Sequence, residues 1–226
     1  MGSLGRLHRL LQRTANHRHF QTLTEAELSE INNLIPRLCE SNQLSAALRL
    51  TTTALLVNPS LHTLPLSPLI QSLTSHQDLT HTMSLLTHLF HTPPSHPYIS
   101  PIALSLLNSY FHNNSPNHAL KIFRWLRRPH SPSPPDHAFY EVVIRGLCSH
   151  RLAFHALEAL RDMLAHHPQF LPSFDSTDLV YRALLMEARV DEALELNAAI
   201  TRLLSDGENR ENVLEVLERL IAQWTM

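Results

Sequence analysis

The sequence predicts an all-α chain, a solenoid of about five helix-turn-helix repeats finished by a C-terminal helix. Three observations predict it. A small-large pair recurs as Ala47-Leu48, Thr82-Met83, Ala119-Leu120, Ala156-Leu157 and Ala193-Leu194, at steps of 35, 37, 37 and 37 residues. Fourteen residues before each large member stands a second apolar position, Leu34, Leu69, Leu106, Val143 or Val180, and four residues further on come Leu38, Leu73, Tyr110, Leu147 and Leu184. Prolines crowd into HTPPSHP (91–97), RPHSPSPPD (128–136) and HHPQFLPSF (166–174), which predicts loops between the apolar segments. Each period thus holds two amphipathic helices with apolar residues at i, i+3, i+4 steps. A hairpin of this length cannot bury both apolar faces alone, so the units must stack.

Residues 1–24 come first. They carry Arg6, Arg9, Arg13 and Arg18 and no acid, with Leu4, Leu7, Leu10 and Leu11 at helical spacing. That is the pattern of an organellar presequence, and it predicts a mitochondrial address with the chloroplast as the alternative. The repeats are expected over 28–208, divided near 28–62, 63–99, 100–136, 137–173 and 174–208. Within a repeat, Asn42 and Asn114 fall at the break between helices, where a left-handed backbone is expected and Asn tolerates it. Pro116 follows just inside a second helix, where its missing N–H costs nothing.

In the last repeat, EARVDEALEL (187–196), Val190, Ala193, Leu194 and Leu196 are expected to face neighbours, with Glu187, Asp191, Glu192 and Glu195 toward solvent. Residues 209–226 then read as a capping helix. Val213, Leu217, Leu220, Ile221 and Trp224 share one face, and Glu211, Glu215, Glu218 and Arg219 share the other.

Composition excludes several functions. Four glycines, Gly2, Gly5, Gly146 and Gly207, cannot write a GxxxxGK[ST] loop or a GxGxxG turn. HExxH, GxSxG and a deaminase HxE with a later CxxC are also missing, so no enzyme and no cofactor is expected. Cys39 and Cys148 are repeats apart, too far for a disulfide, and read as packed thiols. Among seventeen histidines, His88 and His91 form the best local pair, but without a second pair or cysteines they predict no metal site. No apolar run is long enough to cross a bilayer.

Without its first 24 residues the chain holds fourteen basic and twenty acidic residues. An acidic chain is a poor unaided binder of polyanions. The acids are uneven: from Ser41 to Pro135 Asp78 stands alone, whereas from Phe174 onward there are eleven acids against five arginines. One basic cluster occurs in LKIFRWLRR, where Lys121, Arg124, Arg127 and Arg128 predict a phosphate or partner contact. Arg124, Arg127 and Arg128 are expected on one side of the helix, away from Leu120 and Phe123.

The segments LIPRLCESNQLSAALRL (34–50), VIRGLCSHRLAFHALEAL (143–160) and YRALLMEARVDEALEL (181–196) resemble the pentatricopeptide repeat (PPR) family, most nearly its small P-class organellar members in plants. The resemblance implies a right-handed superhelix and binding of single-stranded RNA one base per repeat. Carried onto this chain, the base-reading pairs are Asn32 with His62, Ser67 with Ile99, Leu104 with Asp136, Glu141 with Ser173, and Asp178 with about Glu208. None is a usual combination for the family. The resemblance therefore implies a helper in organellar RNA processing, chiefly group II intron splicing, beside other PPR or splicing proteins. A structural subunit of the mitochondrial ribosome is the alternative. Weak or assisted RNA contact, with no membrane and no small-molecule ligand, completes the expectation.

Overall fold

The computed structural model describes residues 24–57, 64–166, 172–206 and 210–224. Eleven α-helices are formed among the described residues, and the chain divides into two compact units. The presequence expected over 1–24 lies, apart from Thr24, outside the described residues.

The first unit comprises residues up to Ser109 with His130–Ser133. Thr24 opens helix α1 (Glu25–Glu40) with a capping box: its hydroxyl accepts from the Glu27 N–H at 3.3 Å while the Glu27 carboxylate accepts from the Thr24 N–H at 2.9 Å. Helices α2 (Leu44–Val57), α3 (Leu66–Ser75) and α4 (Thr80–His91) follow. Helices α1 and α2 pack as a hairpin, as do α3 and α4; α1 also lies against α3, and α2 against α4. Ile31, Leu34, Ile35, Leu38, Leu69, Ile70 and Leu73 make the interior that their spacing predicts.

Threonine, a mediocre helix former, is made to fit here by bonding back into its own helix. Thr51 donates to the Ala47 carbonyl and Thr52 to that of Leu48, both at 2.9 Å. HTPPSHP is not a loop. Pro93–Ser95 form a single 3-10 turn that runs directly into α5 (His96–His112). Proline lacks only an N–H that a helix's first turn leaves unpaired anyway, so prolines read as breakers can equally be starters.

The second unit holds Tyr110–Pro129 and Pro134 onward, so the division falls within α5. It contains the last turn of α5 and then α6 (Pro116–Leu126), α7 (His137–Ser149), α8 (Ala153–His166), α9 (Phe174–Met186), α10 (Val190–Asp206) and α11 (Arg210–Trp224). Asp136 and Ser173 open α7 and α9 as N-caps. Within the unit α7 packs on α8, α9 on α10, and α7 on α9.

Its three tight turns are copies of one another. Asn114, Arg151 and Ala188 are left-handed, at φ 55, 57 and 60. Each donates its N–H three residues back, to Phe111, Cys148 and Leu185, and the next residue donates five back, to Tyr110, Leu147 and Leu184. Asn42 makes the same turn in the first unit, at φ 56. The expected asparagines are joined by Arg151 and Ala188, where the sequence carries no left-handed signal. One glycine is required by packing: a Cβ on Gly146 would lie 2.4 Å from the Phe111 ring.

Helix α11 packs against both α8 and α10. The Arg210 guanidinium donates to the Leu164 carbonyl from Nε at 2.9 Å and Nη2 at 2.6 Å, closing the end of α8. Trp224 meets Phe154 edge-on at 5.4 Å and lies under the Arg189 guanidinium at 3.6 Å. Val213, Leu217 and Leu220 are buried as expected.

Two expectations for EARVDEALEL are corrected. Val190 and Leu194 are 51% and 53% exposed rather than facing neighbours, because α11 lies along α10 without covering them. Glu187 is not left to solvent: its carboxylate accepts from the Ala153 N–H at 3.0 Å, at the start of α8.

Candidate nucleic-acid and partner interface

Of the residues proposed to face a base, Glu141, Ser173, Asp136 and Asp178 are already engaged within the chain. Glu141 on α7 is the clearest. Its carboxylate accepts from the Ser173 N–H at 3.3 Å, from the Ser173 hydroxyl at 3.0 Å and, at very short range, from the Ser176 hydroxyl. His137 Nε2 lies 3.4 Å from the same carboxylate. Glu141 thus satisfies the N-terminus of α9 from outside that helix, where the positive end of the backbone dipole favours a carboxylate. The pair Glu141 and Ser173, expected to meet one base, is bonded to itself.

Asp136 is exposed, but its carboxylate accepts from the Phe139 N–H at 2.9 Å as the cap of α7. Asp178 holds Arg182 at 2.8 Å within α9. In the first unit, Ser67 is exposed on α3, and Ile99, its intended companion, is fully buried. Asn32 on α1 has unused capacity, since its Oδ1 is buried and accepts nothing among the described residues. His62 and Glu208 lie outside the described residues.

The basic cluster on α6 is divided. Arg127 is not turned away from Phe123: its guanidinium sits 5.4 Å over that ring and forms a very short ion pair with Asp162 of α8. Asp162, 1% exposed, is also bonded by Arg161 at 2.7 Å. A buried carboxylate is tolerated only when its charge is met, which explains why Arg127 folds inward. Arg124 reaches Glu158 at 3.4 Å, and the His155 ring nitrogen Nδ1 donates to the same carboxylate at 2.8 Å. Lys121 and Arg128 remain exposed, with no ion pair among the described residues.

No family model and no curated protein matches this chain. What the molecule offers is therefore its own geometry, and one regularity stands out. Thr74 with Ser109 at 2.6 Å, Arg124 with Glu158, and Glu141 with Ser176 join residues 34 or 35 apart. Each joins like helices of successive hairpins. Local reasoning along a helix misses all of these, since it sees four residues either way.

Three further groups, two thiols and a phenol, are held neutral by burial. Burial pushes the Cys148 thiol up to about 12, with Glu187 adding to the effect, and raises the Cys39 thiol as well. Both are buried free thiols, as expected. The Tyr140 hydroxyl is also pushed up to about 12, mainly by burial and further by Asp162, with Arg127 opposing. Among the described residues there is no cluster suited to a metal ion, and no helix is long and apolar enough to cross a membrane.

Proposed function

We propose that the chain is a PPR-type helical-repeat adaptor, its hairpins stacked as a right-handed solenoid, acting in organellar RNA metabolism as a non-enzymatic member of a larger complex. The observation that carries this reading is the recurrence of side-chain bonds between like helices 34 or 35 residues apart, the spacing of a stacked repeat. The helper role rests on what the base-facing positions do. Glu141, Asp136 and Asp178 are bonded within the chain, and a group so engaged must break those bonds before it can meet a base.

Within organellar RNA metabolism, the role is support of group II intron splicing in mitochondria. The basic, acid-free character of residues 1–24 supports the address. Lys121 and Arg128 supply a backbone or partner contact; Arg124 and Arg127 serve packing. Sedimenting a mitochondrial extract with and without RNase tests the assignment. The expected result is migration in complexes that become lighter on RNase treatment. Stable comigration with ribosomal particles would replace it with a structural role in the mitochondrial ribosome.

A further inference from the structure

The α9–α10 hairpin carries more exposed apolar surface than any other described element. Phe174 is 74% exposed, Met186 65%, Leu194 53%, Val190 51% and Leu185 36%. The last four sit together at the tight turn between the two helices. Leu185 and Met186 end α9, while Val190 and Leu194 follow at i, i+4 spacing along one side of α10. Isolated exposed leucines are ordinary, but a run of four such side chains around one turn is the mark of an interaction site.

The charges around it say what fits. Residues 174–206 contain seven acids against three arginines. Arg182 is taken by Asp178 and Arg189 by Glu192. Asp191 stays exposed beside Val190 at the turn, and Asp175 stays exposed at the opposite end of α9, neither with an ion pair among the described residues. Two copies of this face would set like charges against each other. The first hairpin, α1–α2, offers no exposed large apolar residue among those described, so a second copy has no complementary face there either.

We propose that this turn-end face of α9–α10 docks a basic amphipathic helix of a partner protein. Apolar side chains of the helix cover Leu185, Met186, Val190 and Leu194, and its lysines or arginines meet Asp191 and the acidic surroundings of this hairpin. The proposal names the partner class for the adaptor reading and rests on it only for the presence of a partner. The test uses no RNA, so its outcome is separate from that of the sedimentation experiment.

Two synthetic helices of about 18 residues, five turns, are compared on the full chain by fluorescence anisotropy. Both carry leucine at i, i+3, i+4 and i+7; one is otherwise lysine-rich and the other glutamate-rich. Saturable one-site binding is expected for the lysine helix, about tenfold tighter than for the glutamate helix. Leu194→Glu is the decisive variant, because it adds an acid. Docking predicts binding weakened about tenfold, whereas attraction to net charge alone predicts equal or tighter binding and would overturn the proposal. Val190→Glu should repeat the effect, and circular dichroism confirms that both exposed positions leave the fold intact. Dimerisation of the wild-type chain in sedimentation, abolished by Leu194→Glu, would also overturn it by assigning the face to a second copy.

Discussion

The two units are built from similar hairpins but held by different chemistry. The first is apolar packing stitched by hydroxyls: Thr51, Thr52 and Thr74 bond back into their helices, and Thr74 also reaches Ser109. In the second, carboxylates do the joining. Asp162 draws in two arginines, and Glu141 and Glu187 satisfy helix N-termini that are not their own. The difference follows from composition, since Asp78 is the sole acid between Ser41 and Pro135. It teaches that similar helical hairpins can be secured by dispersion or by charge, and that the second form is the more sensitive to salt.

The comparison can be broken most strongly at Asp162. Asp162→Asn leaves Arg127 and Arg161, themselves partly exposed, without their buried counter-charge, at an expected cost of about 2 kcal/mol. Hydrogen exchange should show amides of α6, α7 and α8 opening while those of α1 to α4 keep their protection. Equal loss in both units would erase the distinction drawn between them.

Alkaline pH is the next lever. The Tyr140 hydroxyl rises from an ordinary 10.0, and the Cys148 thiol from 9.0, both to about 12 in the folded chain. The unfolded chain therefore releases these protons first. Stability contributed by the neutral groups is complete below pH 9 and is lost as pH rises toward 12. Denaturant titrations at pH 8 and 11 measure this, and Tyr140→Phe should flatten the decline. An unchanged slope would assign it elsewhere.

The smallest expected effect has the opposite sign. Ala188 holds a left-handed backbone at φ 60. Ala188→Gly should relieve that strain and stabilise the second unit by about 0.5–1 kcal/mol, readable as a raised denaturation midpoint. Destabilisation would mean that the turn is held by more than its backbone.

Much of this architecture is legible in the sequence because helix period and repeat period are both local counts. Leu34, Leu69, Leu106, Val143 and Val180 are all buried, as their spacing requires. Arg127 escapes such reading because its partner lies on another helix: a helical wheel of LKIFRWLRR places it in solvent, and only the packing of α8 brings Asp162 to it. Val190 and Leu194 escape for the converse reason. Their spacing says that they face a neighbour, while exposure depends on where the stack meets α11. The candidate base-facing residues were locatable by alignment, but their bonds to Ser173, Ser176, Phe139 and Arg182 set their availability.

The proposed adaptor role rests on carboxylates at the candidate base-facing positions being spent on the chain's own helices. Equilibrium binding of the purified chain to unstructured RNAs of differing sequence, measured across a salt series, tests this most directly. The account predicts weak binding that falls steeply as salt rises and hardly distinguishes one sequence from another. Tight binding at physiological salt with strong preference for one sequence would contradict it.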